Sequence, residues 1–153
     1  MTDKPPRIVS SAHLVSDNAA ELSEVEYGLI VASNAFGLWM VRGTTAALAE
    51  FPSVGELGVL DVMCLHSVNH RGRAKKLADI CFKLNVEDTH LVNYAVKKLV
   101  KAGLVESEKQ GKEVYYSTSE MGKSLCQRYR EIRESCLIDA FSALGAVDSK
   151  GLA

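Results

Sequence analysis

Residues 74–118 read AKKLADICFKLNVEDTHLVNYAVKKLVKAGLVESEKQGKEVYYST. Leu77, Ala78, Ile80 and Cys81 recur at helical spacing, which predicts a helix of about two turns with Lys75, Lys76 and Asp79 facing water. Leu84-Asn85-Val86 breaks that pattern, and Asp88 or Glu87 then offers a carboxylate to the free amides that open a second helix. Val92, Val96, Leu99 and Val100 form the buried stripe of this second helix, leaving Thr89, His90, Asn93, Tyr94, Lys97 and Lys101 on its other faces. Gly103 supplies the left-handed residue that stops it. Two β-prone runs, Leu104–Lys109 and Lys112–Thr118, flank Gln110-Gly111, so a tight hairpin follows.

Helix, turn, capped helix and hairpin, in that order, are the layout of a winged helix-turn-helix. The run Ala74-Lys-Lys-Leu-Ala-Asp-Ile, the capped second helix, Lys101-Ala-Gly-Leu-Val and the hairpin together resemble the MarR family of bacterial transcriptional regulators, over roughly residues 20 to 147. The expected fold is mainly α with a small β-hairpin wing: a winged helix-turn-helix with long terminal dimerisation helices. Many wings of that family are longer and carry an arginine at the tip. Here the tip is only Gln110-Gly111-Lys112, which leaves Lys109 and Lys112 to do the wing's work.

Charge is distributed in support of that reading. The chain of 153 residues has a net charge of −1, which taken as uniform would argue against nucleic acid. Residues 70–112, however, hold ten Lys/Arg against five Asp/Glu, while residues 1–69 hold three against eight. Positive charge is thus concentrated in the segment proposed to meet phosphates. Apolar content of 47% and charged content of 24% are ordinary for a globular domain, and the length suits a single domain by the prior of about 100 to 200 residues.

No signal-peptide core is visible and no apolar run approaches the ~18 residues of a membrane span. A cytoplasmic protein with no membrane partner is expected. Cys64, Cys81, Cys126 and Cys136 lack C-x-x-C spacing and fall in apolar helical patterns, so they read as small core residues.

The flanks organise around the reading head at residues 53–118. Residues 1–18, with Pro5-Pro6, read as an N-terminal arm. Ser23-x-x-Glu26 is a capping-box pattern for a long helix to about Glu50, and Ser53-x-x-Glu56 is a second one for a helix to about Val68. Asn69–Arg73 reads as a loop, with room for a short third strand on the wing. Ser119 caps a final helix whose Leu125, Tyr129, Ile132, Cys136, Phe141 and Leu144 recur at spacings of three and four. The apolar stripes of the first and last helices exceed what a reading head needs, and such stripes mark a partner. The resemblance implies a homodimer built from these regions, 19–52 and 119–147.

Candidate site residues follow. His90, Asn93, Tyr94 and Lys97 share one face of the second helix and carry chemistry suited to base edges, with Thr89 at the helix start suited to a phosphate. Arg71, Arg73, Lys75, Lys76, Lys109 and Lys112 are expected backbone clamps. Phe36, Trp39 and Arg42 are candidates for a small-molecule effector site, a role the resemblance places beside the reading head. His66 and His70, four residues apart, raise a metal-sensing alternative, but a structural zinc needs four ligands and the set is incomplete; no metal or cofactor is expected. A winged helix serving only protein–protein contact is the rival reading. The chain lacks G-x-S-x-G, H-E-x-x-H and a phosphate-cradling glycine loop, so no enzyme is expected. The partners anticipated are double-stranded DNA, a second copy of the chain and a small-molecule effector.

Overall fold

The computed structural model describes residues 20–138, with side chains from 22 to 136. The expected arm at residues 1–18, and Phe141 and Leu144 of the expected dimer stripe, lie outside the described residues. Two compact units divide the chain between Trp39 and Met40.

Helix α1 (Ala20–Leu48) runs through that division. In the first unit Leu22, Val25, Leu29, Ile30, Val31, Phe36 and Leu38 are all exposed, and the rings of Phe36 and Trp39 stack with centroids 5.8 Å apart. The expected capping box at Ser23 does not form a helix start, because the chain is already helical at Ala20.

In the second unit the last turns of α1 bury Thr44 and Ala47. Helix α2 (Val59–Asn69) starts later than the Ser53-x-x-Glu56 pattern implied. Val54 and Leu57 are buried in the connecting segment, and the cap falls at Gly58, whose N–H donates to the Asp61 carboxylate at 2.8 Å. A carboxylate in the first turn satisfies a free amide and complements the helix dipole at the same time. Val62, Cys64, Leu65 and Val68 of α2 are fully buried. Helices α3 (Leu77–Leu84), α4 (Thr89–Lys101) and α5 (Glu120–Arg133) all pack on this helix. They contribute Ile80, Val92, Val96, Leu99 and Leu125 to the core.

The hairpin forms as anticipated from β2 (Val105–Gln110) and β3 (Glu113–Thr118), with Val105 opposite Thr118 and Gln110 opposite Glu113. Its turn is Gly111-Lys112, one residue later than the sequence pattern suggested, with Gly111 at φ 64 in the first central position. A positive φ there matches the twist of the strands, and glycine adopts it without a Cβ clash. The third strand is also present, but it is β1 (Lys75–Lys76), paired antiparallel with β3 through Lys75↔Tyr116 and Lys76↔Tyr115. These two lysines were expected on α3; the helix begins only at Leu77 because Lys76 is extended and the Asp79 carboxylate accepts its N–H.

Ser119 caps α5, its Oγ accepting from Gly122 N–H at 3.0 Å and donating to Gly103 O at 2.6 Å. Leu125 and Tyr129, anticipated on a dimer surface, are instead buried within the chain, since α5 lies against α2 and β3 and needs that stripe for its own packing. Ile132 is half-buried and Cys136 exposed, the latter in a π-helical turn (Glu134–Ile138) that follows α5. Cys64, Cys81 and Cys126 are buried core residues; Cys136 departs from that expectation. No helix among the described residues is long and apolar enough to cross a membrane.

Candidate nucleic-acid interface

Helix α4 is built to present one face. Asp88 closes its N-terminus by accepting the His90 N–H at 2.9 Å, and the preceding turn is set by Asn85, left-handed at φ 52, with the Val86 N–H returning to Cys81 O at 3.1 Å. Asparagine tolerates that conformation better than other non-glycine residues. Val92, Ala95, Val96 and Leu99 bury the inner face. Thr89, His90, Tyr94, Lys97 and Lys101 are exposed, and Asn93 is half-buried at the edge of the same surface.

Leu91 also lies on this outer surface, 53% exposed, three residues before Tyr94, which is 74% exposed. Its position outside the 92/96/99 stripe was the available signal, overlooked because leucine suggests core. An apolar side chain on a groove-facing helix can touch a thymine methyl group, so Leu91 joins the candidate reading set.

Lys98 is withheld from that surface. Its Nζ lies 2.6 Å from Asp61 Oδ2, tying α4 to the first turn of α2 across a half-buried ion pair. The link fixes how α4 sits on α2.

The lysines expected to clamp phosphates separate into distinct environments. Lys75 is only 7% exposed, and its ammonium donates to Val68 O and His70 O at 2.7 Å and to Arg73 O at 3.0 Å. It caps the C-terminal end of α2 and is removed from the set of backbone clamps. Desolvation, reinforced by Lys83 and Arg73, holds its pKa below the usual lysine value. Lys76 pairs with Glu113 at 2.5 Å and sits 5.5 Å from the Tyr115 ring centroid. The hydrogen bond to Glu113 raises its pKa, and the pair staples β1 to the wing. Lys109 and Lys112 stand exposed beside the hairpin turn, and Arg71 and Arg73 are exposed on the loop before β1.

The histidines do not form a metal set. His66 lies against Tyr129 with ring centroids 4.6 Å apart, while His70 is exposed in a 3-10 turn (His70–Gly72). No group of three His, Cys, Asp or Glu suited to a metal ion occurs among the described residues. Burial, with a contribution from Arg133, holds the His66 pKa down. Phe36 and Trp39 are stacked on α1 as described, and Arg42 is exposed.

This arrangement of three-stranded sheet, capped outer helix and basic turn defines a winged-helix DNA-binding domain, and a family profile of that description matches residues 57–122. The fold is similar to that of solved MarR-family transcriptional regulators. A MarR-family regulator from a Rhodococcus species superposes with a TM-score of 0.60 at 15% identity, covering 86% of this chain and 88% of its own. The multiple antibiotic-resistance repressor of Listeria monocytogenes gives 0.55 at 14% identity, over 90% and 88%. CouR from Rhodococcus jostii, solved bound to p-coumaroyl-CoA, gives 0.53 at 15% identity, over 78% and 82%. No curated protein matches by sequence.

Proposed function

We propose that the chain is a MarR-type transcriptional regulator that binds double-stranded DNA as a homodimer, with α4 in the major groove and the wing along the flanking minor groove. The observation that carries this reading is the outer face of α4. His90, Leu91, Tyr94 and Lys97 stand free, Asn93 borders them, and the opposite face is locked into the core. Nothing in the packing of the domain requires those residue types there. Base edges do, because Asn, His and Lys supply donors and acceptors in the patterns the major groove displays.

In this reading residues 53–118 are the reading head. Residues 19–52 and 119–147 supply the dimer region, less the α5 positions that are buried within the chain. The exposed apolar side chains of α1 are the surface that a second copy covers. Two-fold symmetry then sets a palindromic operator with half-sites ~34 Å apart. The protein acts in the cytoplasm as a repressor and leaves DNA when a small molecule binds, for which the Phe36–Trp39 stack offers an aromatic wall. Selection of bound sequences from a random duplex pool tests the central claim: a palindromic consensus is expected. Recovery of no consensus, together with salt-independent retention of duplex, favours the protein-interaction reading, since a DNA reader must release counterions.

A further inference from the structure

A pocket of about 560 Å³ opens between the loop that follows α2 and helix α3, and none of the residues assigned to base reading lines it. His70, Arg71 and Arg73 line it from the loop, and Asp79, Phe82 and Lys83 from α3, with Lys75 behind. Outside the α4 face and the wing tip, several surface cations are neutralised: Lys76 by Glu113, Lys98 by Asp61, Lys123 by Glu120, Arg128 by Glu50 and Arg130 by Glu134. Among the described residues no carboxylate ion-pairs with Arg71, Arg73 or Lys83. The single acid on the wall, Asp79, has one oxygen engaged by the Lys76 N–H.

Three further features set this pocket apart. Arg71 is left-handed at φ 62, a conformation unfavourable for a non-glycine residue and one that recurs at functional sites. The Lys75 ammonium, anchored to three carbonyl oxygens, holds the loop in place and cannot swing out to relieve the local charge. Phe82 is 89% exposed at the rim, a large apolar ring with no partner in the core.

We propose that this pocket binds the phosphate group of a phosphate ester through His70, Arg71, Arg73 and Lys83, with the organic part of the ester lying on the Phe82 ring. A phosphate monoester brings up to two negative charges and three acceptor oxygens, which answers several unpaired cations at once, whereas a carboxylate brings one charge and two oxygens. The same cations, Lys83 foremost and, after partial desolvation, Arg71, Lys75 and Arg73, hold the His70 pKa below its usual value. An anion seated among them reverses that balance, so occupancy draws a proton onto His70. The shared chemistry is the phosphate oxyanion, supplied either by a free ester or by the DNA backbone.

The titration midpoint of the His70 ring protons, followed by NMR on the full chain with His66 as internal reference, tests the proposal. Saturating phenyl phosphate is expected to raise the His70 midpoint by about 1 pH unit or more and to leave His66 in place. Inorganic phosphate should do the same at several-fold higher concentration, a difference that Phe82→Ala removes. Arg73→Gln combined with Lys83→Gln changes two exposed side chains, so the fold, checked by circular dichroism, should survive while half-saturation by phenyl phosphate moves at least tenfold. A short random duplex that also raises the His70 midpoint identifies the DNA backbone as the source of the phosphate. A duplex that binds yet leaves His70 unmoved assigns the pocket to a free ester. The proposal is overturned if neither phosphate nor duplex moves His70, if the double variant titrates as the parent does, or if benzoate matches phenyl phosphate.

Discussion

Single side chains in this protein do work that their residue type does not announce. Lys75 sits in a basic run that reads as a phosphate clamp, yet its ammonium is spent on the carbonyl oxygens of Val68, His70 and Arg73. The sequence holds the charge but not the convergence of three carbonyls, which exists only once α2 has ended and the loop has turned back. Lys75→Met keeps the aliphatic stem and leaves those oxygens without their donor. A loss of about 1 to 3 kcal/mol is expected by urea denaturation. Because Lys75 touches no phosphate in this arrangement, the salt slope of random-duplex binding should stay unchanged, whereas a true clamp would lower it by about one. His66 makes a second prediction. Its folded pKa lies below the usual imidazole value of 6.5, chiefly through burial against Tyr129. The unfolded chain therefore binds the proton more readily, so the contribution is fully present above pH 6.5 and is lost as pH falls through the depressed folded value. Melting temperature should drop on acidification across that window. His70, held low by its cationic neighbours, acts in the same direction, so His66→Gln should reduce the drop without abolishing it.

At the level of elements, α4 was the most legible part of the chain, while α5 was legible in its Ser119 cap but not in what its apolar stripe packs against. Apart from Val100, which is only half-buried, the α4 stripe, its Asp88 cap and its Gly103 stop (φ 75) appear where periodicity and capping chemistry put them. Asn93→Ala removes a donor and an acceptor beside that stripe without entering it. Specific affinity should fall by ~1 to 3 kcal/mol with relaxed discrimination at one base position per half-site. Lys109→Ala with Lys112→Ala should instead weaken specific and random duplex alike and flatten the salt slope by about one per lost contact. Competition binding at several salt concentrations separates the two, and equal losses for operator and random DNA in the Asn93 variant would pass the reading role to His90, Leu91, Tyr94 or Lys97. The start of α5 depends on a close approach that no local pattern reveals. A Cβ on Gly122 would meet the Leu104 backbone oxygen at 2.1 Å and Thr118 Cγ2 at 2.7 Å. Backbone cannot yield as a flexible side-chain end does, so Gly122→Ala should cost about 1 to 3 kcal/mol or more, despite alanine's better helix propensity. A chemical-denaturation midpoint at or above the parent's would refute that contact.

For the whole molecule, the feature to explain is the apolar surface of α1. Leu22, Val25, Leu29 and Phe36 recur along the helix and all stand exposed. In the proposed homodimer a second copy covers them, and an interface of that composition would resemble a domain core. Sedimentation should give a dimer at micromolar concentration. Leu22→Glu with Leu29→Glu should shift it to monomer while the hairpin and α2–α4 core, which contain neither residue, stay folded. A parent protein that sediments as a monomer removes both the dimer and the palindromic operator that follows from it. The partition of the final helix bears on the same point. One stripe runs from Leu125 to Cys136 in sequence, but burial divides it: Leu125 and Tyr129 serve the chain's own core, and the exposed Cys136 does not.

Periodicity, caps and turn glycines are local properties, and through them the amino-acid sequence determined the order of elements, the buried faces of α3 and α4, the hairpin and the concentration of charge beside them. Segments far apart in the chain decided the rest. Pairing with β3 drew Lys75 and Lys76 out of the helix and into a strand. Gly58 and Asp61 capped α2 in place of the Ser53 pattern, and Asp61 held Lys98 away from the outer face of α4. Folding also gathered His70, Arg71, Arg73 and Lys83 around one pocket. A charge in sequence is only a quantity; which partner neutralises it, and so whether it remains free to meet a phosphate, depends on distances that only the tertiary structure sets.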